Sequence, residues 1–243
     1  GVLQRIGLCY LLGSALYLST TIRGLQIAIA ALLAVYTALM TPGGYEKASN
    51  FVRDIDTLFL TGHMYNASKY WDPEGIVSTL PALATCLFGA LAGHLIRSKK
   101  SIPEKTAWLY FWGTLALLAG LLLDPFQPIN KNLWTASYCL FMAGMAHLCF
   151  AGFFWLCDGT GIKTPWLKPF EVFGSNAIAL YILSGLLARV LALSGAKAWL
   201  WTNLYQSLAA DLRIGSVAFA LTEVLALYAV AEILYRRKIF IRL

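Results

Sequence analysis

Charged side chains are scarce in this chain. Asp, Glu, Lys and Arg make up 13% of its 243 residues, whereas 59% are apolar and the mean hydropathy is +0.66. Soluble globular proteins contain about 25% charged and about 45–50% apolar residues. The composition therefore excludes an ordinary water-soluble domain and predicts a protein that resides in a lipid bilayer.

The patterns that mark several kinds of site are also missing. The five cysteines lie in or at the ends of apolar runs without a CxxC pair, and none of the three histidines has a second one at ligand spacing. A zinc site or a redox pair is therefore not expected. The 19 basic residues are scattered through short loops and form no solvated basic face, so no nucleic-acid partner is predicted.

Seven long apolar runs are present instead. They are Ile6–Ile22, Leu25–Thr41, Gly75–Ile96, Thr106–Leu123, Leu133–Cys157, Val172–Leu193 and Ile214–Leu234. A transmembrane helix needs about 20 mostly apolar residues, and its backbone must form its hydrogen bonds within the segment. We therefore predict an all-α fold, a polytopic transmembrane helix bundle of about seven spans, with residues 1–243 in a single transmembrane domain.

The longest loop, Pro42–Trp71, contains an amphipathic piece at Ala48–Leu60. The apolar residues that recur there near helical spacing are Phe51, Ile55, Leu58 and Phe59. This pattern predicts a short outer-loop helix that lies on the membrane surface or covers a pocket.

Lysine and arginine are unevenly distributed between the two sets of loops. With Arg189 inside the sixth run left aside, eleven lie on one side and seven on the other, and Arg97–Lys105 and Tyr235–Leu243 are the densest segments. The positive-inside rule then places the C-terminus in the cytoplasm and the Gly1 end on the opposite face.

Two polar stretches stand at the mouths of apolar runs and, by this assignment, on the outer face. In the first, Asp72 and Glu74 precede the third run, and Ser78 follows about one turn deeper. Acids at a helix start are ordinary capping chemistry. Two acids at a pocket mouth would equally hold the hydroxyls or the amine of a sugar, so all three are predicted substrate-binding residues.

The second stretch is Gln127–Trp134, between the fourth and fifth runs. A snorkelling Lys131 and a helix cap by Asn132 would explain part of it. The alternative is an amide-rich, cationic patch formed by Asn130, Lys131 and Asn132, which would hold a polar substrate or stabilise an oxyanion. Trp134 would then stack on a sugar ring or lie at the membrane interface.

Arg5 stands at the start of the first run, on the same predicted face. It is expected to pair with Asp72 or Glu74, either as a structural ion pair or as a substrate-binding arginine. An unpaired polar group at membrane depth costs several kcal/mol. We therefore predict that the two mouths and Arg5 line one polar pocket.

Two further features have structural interpretations. Gly89 and Gly93 form a GxxxG pattern, which predicts close helix packing within the bundle, with a homodimer face as the alternative. His147 lies inside the fifth run, where a helix-to-helix hydrogen bond is favoured over a catalytic base.

Four short motifs occur in a fixed order along the whole chain. They are GVLQRI at Gly1, YWDPEGI at Tyr70, PINKNLW at Pro128 and YRRKIF at Tyr235. Together they resemble the heparan-alpha-glucosaminide N-acetyltransferase family, including its bacterial relatives. With the short loops, this similarity favours a bacterial inner membrane and an amino-sugar acceptor.

The resemblance implies a transmembrane acetyltransferase that moves an acetyl group from cytoplasmic acetyl-CoA to the amine of a glucosamine-type sugar on the far side. Arg97 and Lys99, with Asn176 at the cytoplasmic entry of the sixth run, are the expected acetyl-CoA contacts. The family's catalytic histidine lies in an earlier outward loop that has no counterpart here, so no catalytic residue is assigned to this chain.

The chain is therefore expected to be a fragment that lacks N-terminal spans and has no transferase activity alone. In that interpretation it supplies pocket walls and substrate contacts. The alternatives are a transporter or flippase for an amphiphilic sugar, which would show paired interrupted helices in two related halves, and a non-catalytic membrane remnant.

Overall fold

The computed structural model describes residues 1–46, 49–65, 71–161, 165–207 and 211–241. Within these ranges the chain forms α-helices, short 3-10 and π-helical turns and loops, without a strand. Six helices are long and apolar enough to cross a membrane, or seven if one bent pair counts as a single span. The predicted all-α bundle of about seven spans is therefore confirmed, and the chain is an integral membrane protein.

The ten helices of the described residues are numbered in chain order. They are α1 (Val2–Ser19), α2 (Ile22–Met40), α3 (Phe51–Leu60), α4 (Thr79–Arg97), α5 (Ile102–Leu123), α6 (Ala136–Phe154), α7 (Lys168–Ser175), α8 (Ala177–Leu193), α9 (Ala196–Leu200) and α10 (Leu212–Arg236). They fall into two compact units, Gly1–Ile162 and Lys163–Leu243. That all 243 residues act as one transmembrane domain stays a prediction.

The core of the first unit joins α1, α2, α4 and α6. Its buried side chains include Cys9, Leu25, Ala84, Leu87 and Cys139. A second buried cluster lies beneath α3 and contains Tyr36, Met40, Val52, Val77 and Leu133. The outer-loop helix is therefore fixed to the ends of the spans by apolar packing.

The predicted apolar face of α3 is half correct. Phe51 and Ile55 pack against the second cluster, but Leu58 and Phe59 are 72% and 67% exposed. The residues buried on this helix are Val52 and Asp56, one turn apart. The helix begins at Phe51, after an Asn50 cap; Ala48, where it was predicted to begin, lies outside the described residues.

Helices α5 and α6 approach closely at glycines that no local motif marks. A Cβ at Gly120 would lie 2.6 Å from the backbone nitrogen of Phe141, and one at Gly144 would lie 2.5 Å from that of Leu117. Neither position has room for a side chain, so each glycine allows backbone-to-backbone contact.

The GxxxG packing predicted within the bundle does not form in the part of the chain that the structure describes. A Cβ at Gly89 or Gly93 would meet no atom within 4 Å. Both residues line a cavity beside α4 instead. A homodimer through this face stays a prediction.

Two spans begin later than their apolar runs. The third span begins at Thr79 because the preceding residues form turns, including one from Asp72 to Gly75. The fifth begins at Ala136 because Trp134 has a left-handed backbone, with φ 56°, and the side chain of Thr135 caps the helix. In both cases the polar mouth folds as a tight loop above the helix.

The sixth predicted span, which lies in the second unit, is broken. Residues Pro165–Ser175 and Ala177–Leu193 form two helical segments that meet at Asn176 with a 77° bend. Val172, Leu180 and Ala231 form the small core of this unit.

Candidate functional site

Arg5 is at the centre of the polar mouth of the first unit, although it lies on a transmembrane helix. It is 7% exposed. Its Nη2 donates to the Gly75 carbonyl oxygen at 3.1 Å and to Ser78 Oγ. The turn before α4 therefore fixes the guanidinium with directional hydrogen bonds.

The predicted ion pair between Arg5 and Asp72 or Glu74 does not form. The ion pairs among the described residues lie elsewhere. Within that part of the chain, Nε and Nη1 of Arg5 are buried without a hydrogen-bond partner. Two strong donors of a buried cation are thus left unpaired among the described residues.

Trp134, the last residue of the second polar stretch, lies over the guanidinium group of Arg5. The Cζ atom of Arg5 lies 5.3 Å from the centre of the Trp134 ring, within cation–π range. On the other side, the indole Nε1 donates to Thr85 Oγ1 at 3.1 Å. The left-handed backbone of a bulky residue costs about 1–2 kcal/mol. The contacts with Arg5 and Thr85 offset this cost.

The Asp72 carboxylate binds backbone N–H groups of its own loop at the first polar stretch. It is 6% exposed, and its two carboxylate oxygens accept from the backbone N–H groups of Glu74 at 2.9 Å and Tyr65 at 3.2 Å. Its oxygens are therefore used by the loop itself. Glu74 is half-buried beside it. Their predicted role in substrate binding stays a prediction.

The Asn130 side chain has a similar role in the second mouth. Its Oδ1 accepts from the backbone N–H groups of Asn132 at 2.9 Å and Leu133 at 3.3 Å. Lys131 and Asn132 are exposed. The alternative interpretation of Asn132, as the cap of the following helix, does not hold, since Thr135 caps α6. Substrate binding by Asn130, Lys131 and Asn132 stays a prediction.

Contacts between distant parts of the chain bring the two mouths to one end of the first unit, here called the Arg5 end. Arg5 touches both Ser78 and Trp134. Gln127, which is buried, donates to Tyr45 Oη at 2.8 Å and accepts from the Ser137 backbone at 3.1 Å. Arg5 therefore contacts residues of both polar stretches. That the two stretches and Arg5 line one polar substrate pocket stays a prediction.

A cavity of about 520 Å³ extends along α4 and α6 from Trp134 and Thr85 to His147. Its walls are mostly apolar and include Phe88 and Met142. His147 Nδ1 lies 2.7 Å from the carbonyl oxygen of Ala143 in its own helix, and the hydrogen bond to another helix predicted for His147 is not found among the described residues.

The expected acetyl-CoA contacts lie in different units. Arg97 and Lys99 are exposed at the opposite end of the first unit, here called the Arg97 end, where a second cavity of about 510 Å³ is lined by Tyr17, His94 and Arg97 among others. Their contact with acetyl-CoA stays a prediction.

Asn176 belongs to the second unit and is 1% exposed. Its Nδ2 donates to the Ile239 carbonyl oxygen at 3.0 Å, and its Oδ1 accepts from the Ile241 backbone at 2.8 Å. The amide therefore fastens the C-terminal segment to the bend between α7 and α8. Its contact with acetyl-CoA also stays a prediction.

Asp56 is the residue of this region that the sequence interpretation missed. It is 0% exposed, and its Oδ1 accepts from the Ile76 backbone at 3.0 Å. Within the described residues, its Oδ2 has no partner. Burial raises the pKa of this carboxyl above its ordinary value, although the backbone N–H groups of Ile76 and Asp72 act in the opposite direction. A single acid on an amphipathic helix gives no signal that distinguishes it from a solvated one.

No protein-family model matches the chain. The heparan-alpha-glucosaminide N-acetyltransferase of Homo sapiens is 29% identical over 126 residues, which cover 49% of this chain and 19% of that protein. The protein of the same name from Mus musculus is 26% identical over 126 residues, with the same coverage. This similarity supports a family relationship, and the aligned segment spans about a fifth of the length of these relatives.

Proposed function

We propose that this chain forms the acceptor side of a transmembrane N-acetyltransferase. In this function an acetyl group passes from acetyl-CoA to the amine of a glucosamine-type sugar. The observation that carries the proposal is the Arg5 end itself. There a buried arginine, two of whose nitrogens have no partner among the described residues, lies against Trp134, which lines an apolar cavity. The similarity to named acetyltransferases supports it.

The chemistry explains why such an arginine is useful. The neutral amine attacks the thioester carbonyl carbon, and the carbonyl oxygen becomes an oxyanion as the C–N bond forms. Collapse of this intermediate breaks the C–S bond and releases the CoA thiolate, and the amine loses its extra proton to a base. Buried donors aimed at the oxyanion stabilise this step most. The free Nε and Nη1 of Arg5 are donors of that kind.

The base is a separate requirement. Arginine stays protonated in proteins, so Arg5 does not accept the proton. We assign no base within this chain and propose that one is supplied by another part of the protein. The relatives leave room for it, since the aligned segment is 19% of their length.

The direction of transfer is part of the same proposal. The exposed cations Arg97 and Lys99 would attract the phosphates of acetyl-CoA on the cytoplasmic face. The acceptor would then reach the Arg5 end from the opposite face.

The test is acetyl transfer from labelled acetyl-CoA to glucosamine by the full-length protein in proteoliposomes. We expect Arg5→Gln to lower kcat/KM by about 100-fold, as loss of an oxyanion donor does. Arg23→Gln is the matched control because Arg23 is an exposed arginine near the start of the next helix. Full activity of Arg5→Gln, or accumulation of unmodified sugar in the vesicles without acetylation, would contradict the proposal.

Accumulation of unmodified sugar in the vesicles, without acetylation, would favour a transporter. Transport by two related halves predicts a pair of interrupted helices. In the ranges that the structure describes, a single interrupted helix is found, at Asn176, and not two. Acetyl transfer is therefore the function that the geometry supports better.

A further inference from the structure

Arg5 and Asp56 bind the same peptide group without forming an ion pair. The peptide that joins Gly75 to Ile76 has its carbonyl oxygen 3.1 Å from Arg5 Nη2. Its N–H donates to Asp56 Oδ1 at 3.0 Å. The carbonyl oxygen of this planar unit is thus held by a cation from α1 and by the hydroxyls of Thr79 at 2.8 Å and Ser78 at 3.3 Å, and its N–H is held by a carboxyl from α3.

This arrangement is favourable at both ends. A peptide group is a dipole whose negative oxygen faces the guanidinium and whose positive hydrogen faces the carboxyl oxygen. Hydrogen bonds connected in this way polarise and strengthen one another in a site of low dielectric constant. Because the peptide is planar and stiff, a rotation at the N–H end also moves the oxygen.

The contact is built so closely that only glycine fits at position 75. A Cβ there would lie 2.0 Å from Asp56 Oδ2 and 2.4 Å from Asp56 Oδ1. Asp56 is 0% exposed and lies one turn from Val52, which is also 0% exposed. The carboxyl is therefore held against the turn by the packing of α3.

We propose that Asp56 is a positioning residue for Arg5, acting through the Gly75–Ile76 peptide. The Asp56 side chain is 0% exposed and contacts the turn through the Ile76 backbone. It fixes the carbonyl oxygen that accepts from Arg5 Nη2, and so it sets the direction of the two free guanidinium nitrogens. The catalytic consequence rests on the proposed function, whereas the structural coupling does not.

The protonation state of Asp56 does not break this link. Within the described residues Oδ2 is the oxygen without a partner, so it is where a proton would bind. Oδ1 then still accepts from the Ile76 backbone. Asp56→Asn is expected to preserve the link for the same reason, because its amide oxygen replaces Oδ1. Asp56→Leu removes the acceptor and keeps the branched shape, with the same number of side-chain heavy atoms.

A double-mutant cycle between Asp56→Leu and Arg5→Gln tests the proposal in the full-length protein. In the wild-type background we expect Asp56→Leu to lower kcat by about 10-fold, with Asp56→Asn close to wild type. In the Arg5→Gln background the same leucine should cause no further loss. A purely structural role would lower kcat by the same factor in both backgrounds, and that result would overturn the proposal.

The control lies on the same helix. Asp54→Leu removes a carboxylate whose side chain is 63% exposed and paired with Arg53, and its kcat should match that of the wild type. If Asp56→Leu does not accumulate in the membrane, Asp56→Ser replaces it, because the shorter hydroxyl does not reach the Ile76 nitrogen.

Thermal unfolding in detergent, followed by tryptophan fluorescence, separates the two proposals; it is measured on the wild type, Asp56→Leu, Arg5→Gln and the double variant. If the wild type shows no acetyl transfer, the proposed function fails and the stability cycle alone decides the coupling. Shifts in the unfolding midpoint that are smaller in the Arg5→Gln background support the positioning role. Additive shifts overturn it.

Discussion

The two ends of the first unit treat charge in opposite ways. At the Arg5 end, Arg5, Asp56 and Asp72 are buried and hydrogen-bond to backbone groups of the loops. At the Arg97 end, Lys100 and Glu104 are exposed and pair with each other on the surface.

The difference follows from the cost of burial. A buried charge without a partner is expensive, so the Arg5 end has to supply directed hydrogen bonds for each group. An exposed charge is solvated and needs no fixed partner. The Arg5 end is therefore suited to orient a reacting group, and the Arg97 end to attract a charged one. Substitutions should be costly at the first end and mild at the second.

The largest effect is expected for Gly75→Ala at the Arg5 end. The added methyl group would overlap the Asp56 carboxyl, 2.0 Å away, and force it off the Ile76 backbone. Overpacking together with a broken buried hydrogen bond should lower the free energy of unfolding by about 3 kcal/mol. Thermal inactivation in detergent measures the change.

Gly89→Ala is the matched control, since a Cβ there would meet no atom within 4 Å. It adds the same methyl group to a position of α4 that lines the cavity. Its midpoint should equal that of the wild type. Equal midpoints for the two variants would show that the turn before α4 is loose, and the contrast between the ends would be lost.

An intermediate effect is expected for Trp134→Phe. Phenylalanine keeps an aromatic face over Arg5 but removes the indole donor to Thr85 Oγ1. The loss of one such hydrogen bond should lower the free energy of unfolding by about 1 kcal/mol. Trp112→Phe, at an exposed tryptophan of α5, should leave it unchanged. A neutral Trp134→Phe would mean that Trp134 is held by Arg5 alone.

The convergence at the Arg5 end was predictable from the sequence for a simple reason. Successive spans run antiparallel, so the segments before the third and fifth apolar runs emerge on one face, with Arg5 beside them. The loops' lysine and arginine distribution gave the same grouping. Neither argument uses side-chain detail, so neither depends on the residue at which α4 or α6 begins.

Asp56 and the close α5–α6 contact were not predictable because they depend on positions far apart in the chain. Asp56 is buried only because Gly75 leaves room for its carboxyl. Gly120 and Gly144 lie on different helices, and no local pattern connects them. Gly89 and Gly93 of α4 have the local pattern, but no atom of the described residues lies within 4 Å of a Cβ placed there. The periodicity of apolar residues indicates which side chains are buried. It does not indicate which two helices have their backbones in close contact.

The break at Asn176 has a different origin. The apolar run Val172–Leu193 is long enough for one span, and hydropathy does not register a backbone bend of 77°. Two hydrogen bonds of the Asn176 amide hold the bend: Nδ2 donates to the Ile239 carbonyl oxygen, and Oδ1 accepts from the Ile241 backbone N–H. A polar residue at such a position is ambiguous until the segment that it binds is known.

The smallest effect is expected at the Arg97 end, for the double variant Arg97→Ala and Lys99→Ala. Both side chains are exposed, so their attraction for acetyl-CoA phosphates would be diffuse and screened by salt. The KM for acetyl-CoA should rise by about 3- to 10-fold at low ionic strength, with kcat unchanged, and the difference should shrink in salt. Steady-state kinetics at two salt concentrations measure both.

Glu104→Gln on the adjoining helix is the control, because it removes an exposed charge of opposite sign and should not raise KM. A large loss of kcat, or a KM effect that salt does not change, would mean that Arg97 and Lys99 make directed contacts and that the two ends are more alike than their burial indicates.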